Sequence, residues 1–210
     1  MKNYLGIFKS SALELKNVRS LAVCGMLIAV SVAIESLTIT LPMNIKLNFS
    51  FLAVAAIGML FGPVVGVCSA AVCDVLGYFV SPMGGFMPAY TLAAMLQGLI
   101  YGLIAYRVLF DKDNSSIIAY SKWQVYVRVV VARAVDIIVI NLLVNTALNL
   151  HYGFISAESL GVAIAARVSK NVIEFALCDI LLLCVIMPAV LTGFNAVFNR
   201  GRVRKKGAAA

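Results

Sequence analysis

The sequence predicts an all-α integral membrane protein, a six-transmembrane-helix bundle with both termini cytoplasmic, and three observations carry that prediction. Hydrophobic residues make up 62% of the 210 and charged residues only 12%, with a mean hydropathy of +1.00. That is far more apolar surface than one soluble core can hide. The stretch GMLFGPVVGVCSAAVCDVLGYFVSPMGGFMPAYTLAAMLQGLIYG, from Gly58 to Gly102, reads as three helices broken by a Gly-Pro turn and a Gly/Pro loop. Helices that are apolar on every side belong in lipid. Apart from Lys46, Arg133, Arg167 and Lys170, every one of the 17 Lys and Arg lies at the two ends or within 107–128. The positive-inside rule then places both ends in the cytoplasm and makes the number of spans even.

Taken in order, residues 1–17 form a basic, partly amphipathic lead expected to lie along the cytoplasmic membrane surface. A single membrane domain covers 18–199. Residues 200–210 are a basic cytoplasmic tail whose closing alanines read as a cloning scar. The first apolar run starts near Val18, after Lys2, Lys9 and Lys16, and passes Leu37 without a cleavage site, so it is a retained span. It runs to about Thr38. Residues 40–50 alternate Ile45, Leu47 and Phe49 with Asn44, Lys46 and Asn48, the period of a short ordered flap. The second span, Phe51 to Phe61, is too short to cross about 30 Å of hydrocarbon and must lie deep in the bundle.

Gly62-Pro63 turns the chain into a third span, about Val64 to Val80, and the loop SPMGGFMP leads to a fourth, about Ala89 to Tyr106. The longest polar connection, 107–122, precedes a fifth span from about Val125 to Leu148. The stretch HYGFISAESLGVAIA is expected to be a loop before a sixth helix from about Arg167 to Phe198. Trp123, Tyr120 and Tyr126 suit an interfacial aromatic belt. Gly58, Gly62, Gly66 and Ala70 recur every four residues, the spacing that lets backbones approach closely. Gly25, Ala29 and Ala33 form a second such stripe, suited to close helix docking, inside the bundle or against a partner.

Polar groups inside the spans are hypotheses about function by default. Asp74 and Tyr78 share a face of the third span at i, i+4. Arg133, Asn141, Asn145 and Asn149 share one on the fifth, and Arg167, Lys170, Asn171 and Glu174 share one on the sixth. All these lie in the outer halves of their helices except Arg133, which with Asp136 at i+3 reads as a structural ion pair. The asparagines suit either interhelical hydrogen bonds or a ligand. Arg167 and Lys170 suit either snorkelling at the boundary or a site, but a boundary does not require them beside Asn171 and Glu174. Three polar faces converging near the outer surface imply a cavity that opens outward for a polar solute. Glu35 reads as an interfacial residue, His151 as a solvated loop histidine, and the five cysteines as small buried apolar residues.

The chain has no P-loop pattern, no HExxH, no metal-spaced cluster and, with one His, no Ser-His-Asp set, so the expectation is a protein that is not an enzyme and holds no metal or cofactor. The net charge of +8 is divided among loops of one membrane face, which reports topology and contact with anionic lipid, with no nucleic-acid partner.

The run FxFLxxAxxGMLFGPVVGxxxAxxxDxLGY (Phe49 to Tyr78), PMGGFMPAYTL, GLIYGL at 98–103, NTxLxLxYG (Asn145 to Gly153) and RxxKNxI (Arg167 to Ile173) resembles the folate-specific substrate-binding (S) subunit of energy-coupling factor (ECF) vitamin transporters. The likeness covers roughly 18–190, and the RxxKN start of the last helix is its folate-directed part. The resemblance implies a multi-pass subunit of the prokaryotic plasma membrane that captures folate from outside. It would dock on a transmembrane coupling subunit carrying two ATPase subunits and reorient to deliver the vitamin. Lys46, Arg167 and Lys170, with Asn171, would then meet the two carboxylates of the glutamate tail. Asp74, Asn141 or Asn145 would match the pterin edge, and Phe49, Tyr78, Phe86 or Tyr90 would sandwich its ring. The 40–50 and 81–87 loops would gate the site, with Gly25, Ala29 and Ala33 docking the partner. The alternatives are a binding subunit for another vitamin, riboflavin-like, and an ion-coupled secondary transporter, for which no inverted repeat is evident.

Overall fold

A computed structural model of the chain describes residues 4–36, 39–41, 45–47, 50–81, 85–106, 123–156, 160–173 and 175. Helices dominate: α1 (Tyr4–Glu14), α2 (Val18–Ser36), α3 (Phe51–Phe61), α4 (Pro63–Val80) and α5 (Pro88–Ala105) form the first half. In the second half α6 (Trp123–Asp136) runs without a break through a π-helical segment (Ile137–Val144) into α7 (Asn145–His151), and α8 (Leu160–Ile173) follows. Between α2 and α3 a hairpin pairs β1 (Ile39–Leu41) antiparallel to β2 (Ile45–Leu47), with Thr40 opposite Lys46. That is the ordered flap the alternating pattern predicts.

Three of these helices, α2, α4 and α5, are long and apolar enough to cross a membrane. Their outward faces carry bare apolar side chains, among them Val18, Met26, Val72, Phe79 and Leu92. Such surface suits hydrocarbon. The fold is therefore that of a helical multi-pass membrane protein. The short α3 rises only about 16 Å at about 1.5 Å per residue, and every one of its residues is buried. It forms the axis of the bundle, against which α2, α4 and α5 pack.

Close approach is made by glycine on both sides. An added Cβ on Gly66 would lie 2.7 Å from the Gly98 carbonyl oxygen, and one on Gly98 would strike the Gly66 carbonyl in return. Gly102 similarly abuts Pro63. The four-residue repeat of the sequence thus splits into two uses. Gly58 and Gly66 meet α5, whereas Gly62, at φ +87°, is the turn itself, a conformation glycine adopts without penalty.

That turn is closed by α1. Ser11 is fully buried, and its hydroxyl donates to the Phe61 carbonyl at 2.7 Å. The same oxygen accepts from the Val64 and Val65 amides at 3.0 and 3.3 Å, satisfying donors that the start of α4 leaves open. The lead expected to lie along the membrane surface is therefore tied into the bundle through Ser11.

The last described helix begins at Leu160, seven residues before the start expected from the sequence. Its first part, LGVAIA, lies in the stretch expected to be loop, yet it holds alanines and no Gly-Pro break after Gly161, composition that favours helix. Residues 176–210, which include the rest of the expected sixth span, Cys178, Cys184 and the basic tail, lie outside the described residues. Of the other cysteines, Cys24 and Cys73 are buried and Cys68 is exposed.

Candidate functional site

A cavity of about 250 Å³ opens at one end of the bundle. It is built where α2 and α4 end and α3 and α5 begin, the same end as the β-hairpin and the 81–87 connection. The α1 and Gly62 turn closes the opposite end. From α2 come Ser31 and Glu35, from α3 Phe51 and Val54, and from α4 Ala70, Cys73 and Asp74. The α5 wall supplies Tyr90, Ala93, Ala94 and Gln97. Arg133, Ile140, Asn141 and Asn145 line it from the fifth span, and Lys170 from α8.

Several of its polar groups are held by their neighbours. Thr91 donates its hydroxyl to Asp74 Oδ2 at 2.6 Å, and the Tyr90 hydroxyl donates to Asn149 Oδ1 at 2.7 Å. The Glu35 carboxylate lies directly against the backbone of Gly77, where any Cβ would displace it. Beneath the cavity Arg133 Nη1 bonds Asp136 Oδ2 at 2.9 Å, the predicted ion pair. Asp136 is fully buried. Gln97 Nε2 and the Tyr101 hydroxyl donate to the same oxygen at 2.9 and 3.3 Å. A buried carboxylate without such donors would be strongly unfavourable.

The structure brings Asp74, Tyr90, Asn141, Asn145 and Lys170 together around the cavity. Asn149, expected on the same face, is spent on Tyr90. Four predicted residues stand elsewhere. Arg167 is turned onto the π segment, with Nη1 3.3 Å from the Asn141 carbonyl oxygen and 3.4 Å from Thr146 Oγ1. The physical reason is the wide π turn, which presents a carbonyl that the guanidinium satisfies. Asn171 is buried but does not border the cavity. Tyr78 and Phe86 pack edge to face, centroids 5.3 Å apart, also outside the cavity lining. The side chains of Lys46 and Phe49 fall outside the described residues.

Sequence reasoning missed Glu35, Gln97 and Arg133 as cavity residues. For Glu35 a signal existed, because Ser31 and Glu35 stand at i, i+4 on one face of α2, away from the Gly25, Ala29 and Ala33 stripe. Gly25, Ala29 and Ala33 all lie on exposed surface, and nothing in the chain stands within 4 Å of a Cβ added at Gly25.

An apolar helical bundle with an open, mixed-charge hollow at one end defines a membrane-embedded solute-binding protein. A family model described as "ECF-type riboflavin transporter, S component" matches residues 15–186, and the chain belongs to that family. Its members are transporter components, not enzymes. The chain is 30% identical over 131 residues to "Folate transporter FolT" of Clostridium novyi (strain NT), covering 62% of this chain and 66% of the relative. It is 34% identical over 109 residues to the protein of the same name from Streptococcus mutans serotype c, covering 51% of this chain and 57% of that one. These alignments span less than two thirds of either relative's length. A solved chain, "Crystal structure of FolT bound with folic acid", superposes with a TM-score of 0.60 at 31% identity, covering 76% of this chain and 87% of its own.

Proposed function

We propose that this chain is the folate-capturing S component of an ECF-type importer. The observation that carries the reading is a cavity lined by acids, amides and a lysine in a chain 31% identical to one solved with folic acid. The pterin head is a flat ring with donors and acceptors on different edges, and a hollow of about 250 Å³ is near the small end for ligand sites. The head occupies it, and the aminobenzoyl and glutamate parts extend to the mouth.

Lys170 is the cavity cation suited to a tail carboxylate. Lys46 on the hairpin, with Phe49, Tyr78 and Phe86, would form the rim, and the 40–50 and 81–87 connections the gate. With the termini placed inside by the charge distribution, the cavity end faces the exterior of a prokaryotic plasma membrane, and six spans complete the subunit. Energy comes from outside this chain. It would dock through Gly25, Ala29 and Ala33 on a transmembrane coupling subunit bound to two ATPases.

The test is thermal stabilisation of the detergent-solubilised protein against folic acid, riboflavin and thiamine. A ligand at 100-fold over its Kd adds about 2.7 kcal/mol to the folded state. Folic acid is expected to raise the melting temperature while the others leave it unmoved. A response to riboflavin alone would favour the vitamin in the family's description.

A further inference from the structure

Gln97 stands at the inner end of the cavity, and its amide is held in one orientation. On α5, Tyr90, Ala93, Ala94 and Gln97 fall at i, i+3, i+4 and i+7, a single stripe that borders the hollow for about 10 Å at about 1.5 Å per residue. The two alanines leave a smooth face between a tyrosine near the mouth and an amide two turns deeper. Gly98, the next residue, sits against the Gly66 carbonyl, so the backbone that carries the amide is fixed by the α4–α5 crossing.

A glutamine amide is ordinarily free to turn over, exchanging its oxygen for its nitrogen. Gln97 is not. Its Nε2 donates to Asp136 Oδ2 at 2.9 Å, and the same oxygen receives Arg133 Nη1 and the Tyr101 hydroxyl. A carboxylate paired with a guanidinium accepts and does not donate, so the reversed amide would set two acceptors face to face inside the bundle. Oε1 is therefore directed away from Asp136. It takes no hydrogen bond from the described residues, yet it is not sealed in, because the one buried side-chain polar atom among them that lacks a partner is Asp136 Oδ1. Gln97 borders the cavity, and Oε1 is the fixed acceptor it presents there.

We propose that Gln97 is a specificity-determining residue whose Oε1 accepts a hydrogen bond from the 2-amino group of a 2-amino-4-oxopteridine. This assignment rests on the folate reading above. In a folate the tail leaves the bicyclic ring at C6, and C2 lies at the other end of the ring's long axis. A tail directed to the mouth sends the 2-amino group inward, to the depth of Gln97. That group carries two N–H bonds. One lies beside N3–H and suits a carboxylate such as Asp74, and the other, on the N1 side, is left for the amide oxygen. The ligand class selected is a pteridine with a donor at C2, and a ring without one loses the bond and leaves the oxygen unpaired.

The experiment titrates the full-length protein in detergent with folic acid and with 2-deaminofolic acid, in which hydrogen replaces the 2-amino group and nothing else changes. The wild type is expected to bind folic acid at least about tenfold more tightly, the ratio that loss of one buried hydrogen bond produces. In Gln97→Met, which keeps the length of the side chain without its polar atoms, folic acid affinity is expected to fall about tenfold while 2-deaminofolic acid stays within about threefold, the coupling that a double-mutant cycle isolates. A purely structural glutamine would lower both affinities alike and leave their ratio unmoved, which overturns the assignment. Equal affinities in the wild type overturn it as well. Should Gln97→Met not fold, Gln97→Asn, whose oxygen is withdrawn by one methylene, is expected to show the same fall in the ratio, and should neither fold, a wild-type ratio below about tenfold overturns the assignment. Failure of the wild type to bind folic acid at all overturns the folate reading itself and this assignment with it, an outcome separate from equal binding of both ligands.

Discussion

Asp74 is a half-buried acid whose Oδ2 takes the Thr91 hydroxyl at 2.6 Å. An asparagine oxygen accepts that bond equally well, so Asp74→Asn is expected to fold. An amide pairs one donor of the pterin edge and repels the other, and the loss of a charge-assisted bond of about 1.5–3 kcal/mol weakens folic acid binding roughly 10- to 100-fold. Calorimetric titration measures this, and full affinity in the variant would make the acid structural. Lys170 and Arg167 separate in the same experiment, although the sequence presents them as one motif. Lys170 borders the cavity, and Lys170→Ala is expected to lose about tenfold in affinity, one charge-assisted bond. Arg167 instead clasps the Asn141 carbonyl and Thr146. Arg167→Ala is expected to lower the melting temperature, at about 1 kcal/mol for each bond lost, with affinity held within about threefold. The reverse ranking would show that the guanidinium leaves the π segment for the ligand.

At the scale of elements, the α4–α5 crossing was legible because a four-residue glycine spacing signals close approach without knowledge of the partner. What the spacing did not say was that Gly98 and Gly102 supply the other half, or that Gly62 belongs to a turn. Gly98→Ala would drive a methyl into the Gly66 carbonyl, backbone on both sides. The variant is expected to lose about 1–3 kcal/mol, read as a lower melting temperature in detergent. Gly25→Ala, with open space around the new methyl, is expected to leave that temperature unchanged. Equal effects would mean the crossing is not where the helices are tightest. The π segment was illegible for a physical reason. IIVINLLV is apolar throughout apart from Asn141, so its pattern fits a period of 3.6 or of 4.4 residues alike, and only the packing of Arg167 on its open carbonyl marks the wider turn. The start of α8 was missed because small apolar residues after a Gly/Ser stretch read as linker until the helix they extend is seen.

For the molecule as a whole, hydropathy made the class and the three long apolar helices readable, since it reports on lipid and not on detailed packing. The inside of the cavity was less readable. Glu35 and Arg133 looked like boundary and scaffold residues because a sequence gives depth along a helix but not which neighbour each face meets. The Gly25, Ala29 and Ala33 stripe is the opposite case, a surface that no neighbour in the described residues covers at Gly25 and that we propose is used by a partner. It is exposed on α2, on a different face from Ser31 and Glu35, which turn inward to the cavity. Small residues on a lipid-facing surface allow another helix to approach closely, and in hydrocarbon such contact rests on van der Waals fit alone. A tryptophan there has free space within this chain but holds a docking helix several ångströms away. Ala29→Trp is therefore expected to bind folic acid with wild-type affinity in detergent, while folate uptake by vesicles carrying it with the coupling and ATPase subunits falls to background. Loss of both would place the stripe inside the bundle, and unchanged uptake would mean the coupling subunit docks on another face.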